Sequence, residues 1–449
     1  MPELLIRGGA VVTPDGIIAA DVRIDADTIV EIGPALSSDG DEIDARGLYV
    51  MPGIVDVHLH FNEPGRTHWE GAATGSRALA AGGGTTFFDM PLNSTPCTIT
   101  PRDFDAKRAA LEAASITDFG LWGGLIPGAV GEMPAMAERG VVGFKAFMCD
   151  SGLAEFPRAD DLTLMEGMRQ AASLGLPIAV HAESQELTTA LAARMSGSEV
   201  RDVLNSRPVI AELEAIQRAL LFAAETGARL HIVHVSSGRG VALAAEARAR
   251  GVNVSIETCA HYLFFTRDDV ERLGAVAKCA PPLRCAAEQQ HLWDELVAGN
   301  VDIVASDHSP AEPSMKKGTF STAWGGIAGV QSTLAVLLEC GYRRRSLPLE
   351  RITALLATTP AQRFRVPRKG RLEVGADADI VIVDLAASFN LTEQMLQQRH
   401  ALTPYLGRTF HGVVRRTIRR GETIFVDGAV TARSHGRLVR PTDAPIRSH

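Results

Sequence analysis

One pattern recurs through the middle of the chain: an apolar helix-like run, a glycine, then a short β-branched run closing on a polar residue. Glu70 to Ala81 leads through Gly82-Gly83-Gly84 to Thr85–Asp89, and Gly140 precedes Val141–Lys145. Leu162–Leu174 leads through Gly175 to Ile178–His181, and Ile210–Thr226 through Gly227 to Leu230–His234. Val241–Arg250 leads through Gly251 to Val252–Glu257, and Gln289–Ala298 through Gly299 to Val301–Asp307. Glycine just past a helix accepts the left-handed conformation that ends it, and β-branched runs suit strands buried on both faces. Ile54–Val57 and a weaker segment at Phe119–Trp122 complete eight strands. This alternation predicts an α/β chain built on a (β/α)8 TIM-type barrel. A doubly wound sheet is the alternative, but no glycine-rich phosphate loop opens the pattern, and no Lys-Ser/Thr follows Gly82–Gly84.

The two ends read differently. Leu4–Arg7, Val22–Asp25 and Ile29–Ile32 near the start, and Asp379–Asp384 and Val413–Ile418 near the end, read as short strands. Neither set makes a stable sheet alone, so the two ends are expected to pair in one small β-sandwich-like domain. The expected division is 1–52 and 367–449 for that domain, with 53–366 for the barrel. The 45 basic and 53 acidic residues leave a net charge of −8, which argues against nucleic acid or an anionic membrane as partner. Arg415-Arg416 and Arg419-Arg420 then read as a solvated strand edge. Gly318–Leu338, the longest uncharged stretch, is too rich in Gly, Ser, Thr and Gln to span a bilayer. Met1-Pro2-Glu3-Leu4-Leu5 lacks a signal-peptide pattern, and the six cysteines form no Cys-x-x-Cys pair. A cytoplasmic protein without a disulfide framework or zinc ribbon is expected.

Active sites of TIM-type barrels lie at the C-terminal ends of the strands. There the sequence places His58 and His60, Asp89, Lys145, His181, His234, Glu257 and Asp307. His-x-His on a strand points both rings to one face, because side chains alternate. Imidazoles and carboxylates converging on one mouth suit two divalent cations about 3.5–4 Å apart. Any one of these histidines is by itself best read as a satisfied core residue; the cluster is what favours metal. An ammonium at Lys145 would repel cations, and burial there favours a neutral amine open to chemical modification. The competing reading has its head reaching solvent at the rim. His231 reads as barrel packing, His68 and His261 as loop residues, and Asp89 as a turn cap.

These residues resemble the cyclic amidohydrolases, the dihydroorotase–hydantoinase–allantoinase group. The likeness runs from Gly53-Ile54-Val55-Asp56-Val57-His58-Leu59-His60 to Gly375-Ala376-Asp377-Ala378-Asp379. Within the group, Phe61–Gly71, Asp89–Ser94, Lys278–Arg284 and Ala323–Gly329 are most similar to allantoinases. The resemblance implies that His58, His60 and Asp307 hold one metal and that His181 and His234 hold the other. It makes Lys145 an N6-carboxylysine, formed with carbon dioxide, that bridges both. Zinc is the first expectation, with manganese, cobalt or iron as alternatives.

The implied reaction is hydrolytic opening of allantoin to allantoate by a metal-activated hydroxide, with Asp307 as the catalytic proton carrier. A homo-oligomer, a tetramer by resemblance, is expected. Asn62 stands where dihydroorotases typically carry an arginine that pairs with the substrate carboxylate, and an amide suits a substrate without one. Asn62, Asn93, Cys149, Ser151 and Ala280 are the expected substrate contacts. Ala260 stands where relatives commonly have proline, which bears on loop stiffness alone. Hydantoinase, dihydropyrimidinase or dihydroorotase activity is the alternative among enzymes. A metal-free structural relative, like the collapsin-response-mediator group, would lack ligands that are all present here.

Overall fold

Eight short parallel strands follow one another in chain order around a barrel in the computed structural model, which describes residues 3–442. Met1, Pro2 and residues 443–449, which the expected division included, lie outside the described residues. The strands are β1 (Ile54–Leu59), β2 (Gly84–Asp89), β3 (Asp118–Leu121) and β4 (Phe144–Phe147), then β5 (Pro177–His181), β6 (Arg229–Ile232), β7 (Val254–Cys259) and β8 (Ile303–Ala305). β1 to β3 pair in sequence, as do β4 to β8. Two backbone bonds close the seams: Val142 N donates to Leu121 O at 2.9 Å, and His60 N to His308 O at 2.8 Å. A closed ring leaves no strand edge exposed. The glycine punctuation has the anticipated cause, since Gly140 and Gly227 end their helices at φ of +91° and +70°.

Val55, Val57, Phe88, Trp122, Ala179, Ile303 and Phe364 belong to one buried cluster. Each large side chain so buried contributes roughly 2–3 kcal/mol. Trp122 is fixed within it by a 2.9 Å bond from Nε1 to Val57 O and by stacking on His231. His231 is therefore barrel packing, as its position in the strand suggested.

β4 starts later than the sequence pattern implied. Val141 and Val142 precede it and are buried, Val142 in the cluster of Val55 and Phe88 and Val141 in a separate apolar cluster. Lys145 becomes the second residue of β4, not its last.

Both chain ends build one nine-stranded sheet. Tyr49–Pro52 pairs in parallel with Leu4–Thr13 on one side and antiparallel with Ile380–Asn390 on the other, which joins the halves. Two expectations fail here. Thr409–Arg419 is an interior strand, flanked by Ile380–Asn390 and Glu422–Val426, so the arginine run is not a solvated edge. Arg419 is 1% exposed and donates to Ile116 O at 2.7 Å, and Arg420 pairs with buried Asp118. The stretch beyond Ser434 also leaves the sheet and returns to the barrel, where Phe119 N donates to Arg437 O at 3.0 Å and Val439 N to Phe119 O at 2.7 Å. Among the described residues, no helix is long and apolar enough to cross a membrane.

Candidate metal centre

His58 and His60 leave β1 on one face, and both Nε2 atoms approach the same oxygen of Asp307, at 3.3 and 3.5 Å. Three ligating atoms of these residues lie within 4.8 Å of one another. His234 stands beside them, its ring 5.4 Å from that of His58 and 4.6 Å from that of His181. His181 ends β5, with its ring stacked on Phe147 of β4 at 4.5 Å. Lys145, 1% exposed, shares the mouth. A cavity of about 450 Å³ opens over these six residues and is also lined by Asn93, Cys149, Ser151 and Ala280.

Strand length alone would not aim the last two groups inward. β6 ends at Ile232 and β8 at Ala305, and His234 and Asp307 each follow at φ of +41°. A left-handed residue with a side chain costs about 1–3 kcal/mol, a strain typical of functional positions. Asn62 and Asn93 share this conformation, at +63° and +69°. Asn93 lines the cavity, whereas Asn62 does not: it is buried, with Nδ2 donating to Pro310 O at 3.4 Å. That placement runs against a direct substrate contact for Asn62.

The donor set fits divalent cations. Lys145 Nζ and His234 Nδ1 are buried polar atoms without a hydrogen-bond partner, an arrangement that is costly unless a ligand satisfies it. Burial lowers Lys145 to about 8 and His181 to about 4, and it also takes His234 well below the usual imidazole range. Those shifts leave neutral imidazoles and an accessible free amine, the forms that bind metal or react with an electrophile. Burial alone would raise Asp307, but His58 and His60 hold it below the usual carboxylate range.

Further buried carboxylates orient the rings. Glu257, read from the sequence only as a strand-end acid, accepts from His58 Nδ1 at 2.7 Å and from His234 N at 3.0 Å, while its other oxygen lies 3.1 Å from His231 Nε2. Glu183 Oε2 lies 2.8 Å from His181 Nε2 and is itself clasped by Arg207. Such carboxylates fix the tautomer of a ligating histidine. Glu183 went unremarked in the sequence, although the period-two rule that paired His58 with His60 also pairs His181 with Glu183.

The remaining candidates separate. Asp89 does more than cap a turn: it accepts from Phe61 N at 3.2 Å and pairs with buried Lys107 at 2.8 Å. His68 is exposed and does not line the cavity. His261 is not in a loop; it sits in the short helix Ala260–Phe264, grouped with Cys259 and Asp307 within 4.8 Å. His308, missed entirely, accepts from Gly329 N at 3.1 Å and ties that loop to the closing seam. Lys278–Arg284 and Ala323–Gly329, separate motifs in the sequence, are one wall here, with Lys278 Nζ donating to Ala323 O at 2.6 Å.

Comparison with known proteins agrees with this architecture. The amidohydrolase family profile matches residues 49–424. A curated allantoinase of Solibacter usitatus is 61% identical over 98% of this chain and 97% of its own. One from Deinococcus radiodurans is 55% identical over 98% and 99%. Among solved structures, the L-hydantoinase (dihydropyrimidinase) of Arthrobacter aurescens superposes with a TM-score of 0.95 at 33% identity, covering 98% of this chain and all of that one. A Thermus D-hydantoinase gives 0.91 at 28% identity, covering 98% and 99%. With the family profile spanning most of the chain and curated allantoinases matching nearly all of it, this chain belongs to the amidohydrolase family, in its allantoinase group.

Proposed function

We propose that this enzyme hydrolyses the hydantoin ring of allantoin to give allantoate. The observation that carries the substrate is the near-full-length identity of 61% with a curated allantoinase. The cavity supports the reaction class, because its donors converge where a ring amide would sit. On this reading His58, His60 and Asp307 would hold one divalent metal, and His181 and His234 the other. Lys145 would bridge them as a carbamate, its free amine adding carbon dioxide with release of a proton. Zinc suits the imidazole–carboxylate set, and manganese, cobalt and iron are the alternatives. When bound, such metals polarise a carbonyl and lower the pKa of water.

The chain's own residues do the rest. Asp307, anionic at neutral pH, takes a proton from the attacking water at its carboxylate oxygen and delivers it to the departing ring nitrogen. Its left-handed backbone fixes that oxygen between His58 and His60. Glu257 and Glu183 keep the imidazoles of His58 and His181 oriented. Asn93, Cys149, Ser151 and Ala280 are the contacts assigned to substrate. All catalytic groups fall within the span 53–366. The same reading makes the enzyme a cytoplasmic homo-oligomer, a tetramer by resemblance. The test is a time course of allantoin with metal-loaded protein, followed by NMR. Stoichiometric allantoate, abolished by a chelator and restored by added metal, is expected; no ring opening would overturn the proposal.

A further inference from the structure

The cavity beside the metal centre holds several polar side chains, and most are engaged within the protein. Lys278 Nζ donates to the carbonyls of Phe320, Ser321 and Ala323 at 2.7, 3.1 and 2.6 Å. Gln185 accepts from Asp150 N at 2.6 Å and donates to Thr189 Oγ1 at 2.8 Å. Ser151 Oγ donates to Phe156 O at 2.6 Å.

Arg207 differs. Its Nε donates to Glu183 Oε1 at 3.0 Å, and its Nη2 bonds Glu183 and approaches Cys149 Sγ at 3.6 Å. Among the described residues no acceptor meets Nη1, and the side chain lines the cavity with 26% of its surface exposed. Its orientation is nonetheless fixed, because fully buried Glu183 also holds His181 at 2.8 Å. Two hydrogen bonds thus separate the guanidinium from a ring of the metal centre.

Resting on the allantoin reading, we propose that Arg207 is a substrate-binding residue, its Nη1 donating to the carbonyl oxygen of the ureido arm. A ring carbonyl lying at the metal centre would direct that arm into this part of the cavity. A urea oxygen is a strong neutral acceptor, and Nη1 is a rigid, charged donor left free to meet it. Losing a hydrogen bond from a charged donor weakens binding about 10- to 100-fold.

Two variants separate substrate binding from support of the metal centre. Arg207→Lys keeps a cation for Glu183 but removes Nη1. It should raise KM for allantoin about ten-fold or more, a larger effect than any on kcat, with metal content per chain unchanged. Glu183→Gln removes the anchor of His181 and should instead lower metal content and kcat. An Arg207→Lys enzyme with wild-type KM overturns the proposal. So does one that loses metal and kcat in the Glu183→Gln manner, which would make Arg207 a strut. Wild-type enzyme that fails to open allantoin overturns the substrate reading itself, whereas a fully active wild type with an unaffected variant overturns only the role of Arg207.

Discussion

Replacing Glu257 with glutamine tests whether the protein orients its histidines before any metal arrives. Three donors converge on this carboxylate: His58 Nδ1 at 2.7 Å, His234 N at 3.0 Å and His231 Nε2 at 3.1 Å. Burial alone would raise its pKa, but His58 and His231 hold it at about 2, so it is an acceptor at every working pH. Glutamine preserves the shape but turns one acceptor into an NH2 donor. Whichever way the amide turns, at least one of the three partners faces a donor. Leaving one buried donor unpaired costs about 1–3 kcal/mol, which chemical denaturation of the metal-free protein would read. Where the loss falls on His58, the ring is released from its tautomer, and metal affinity should drop about 10- to 100-fold. Competition against a chelator of known affinity measures that drop. Glu257→Ala removes all three contacts whichever way a glutamine would turn, and an alanine variant that binds metal within about twofold of wild type would refute the orienting role.

Asp307→Asn should lose turnover by orders of magnitude while retaining most of its metal, as read by steady-state kinetics and metal analysis; an active, metal-replete variant would remove the proton-carrier role. Carbon dioxide adds only to a neutral amine, and burial brings Lys145 down to about 8. The reactive fraction therefore grows as pH rises toward 8. At fixed dissolved carbon dioxide, the rate of carbamate formation followed by carbon-13 NMR should rise roughly 50-fold from pH 6 to 8. The rate should then level off above pH 8, and a rate that kept climbing about tenfold per pH unit to pH 10 would contradict the burial argument. Lys369 Nζ meets Asp118, Asp377 and Asp379 at 2.6, 2.9 and 2.8 Å in a buried cluster that ties β3 to the start of Ile380–Asn390. Lys369→Met should cost about 3–5 kcal/mol in chemical denaturation, because it strands buried carboxylates, and a loss under about 1 kcal/mol would mean that Arg420 suffices.

The barrel was legible because its signals are local: each helix, its terminal glycine and the next β-branched run are contiguous. The convergence of His58, His60, Lys145, His181, His234 and Asp307 at one mouth followed from the rule that places strand ends together. Local patterning also misled. Val141 and Val142 have a strand's composition but precede the strand: both are buried, and among the described residues Val142 makes only the single seam bond to Leu121 O. Arg419 and Arg420 look like surface charge until Asp118 and Ile116 O, some 300 residues earlier, supply partners. The left-handed turns at His234 and Asp307 have no signature in residue type. Arg207 lies between two helices with nothing local to mark it, and its place follows from a contact with Glu183 that only folding makes.

Ring opening of allantoin at the mouth formed by His58, His60, Lys145, His181, His234 and Asp307 is tested most directly by one comparison. Metal-loaded enzyme is assayed on allantoin, hydantoin, dihydrouracil and dihydroorotate, with and without chelator. Allantoin should give the highest kcat/KM, with allantoate as its product and activity lost on chelation. A preference for hydantoin, dihydrouracil or dihydroorotate, or activity indifferent to the chelator, would contradict this reading.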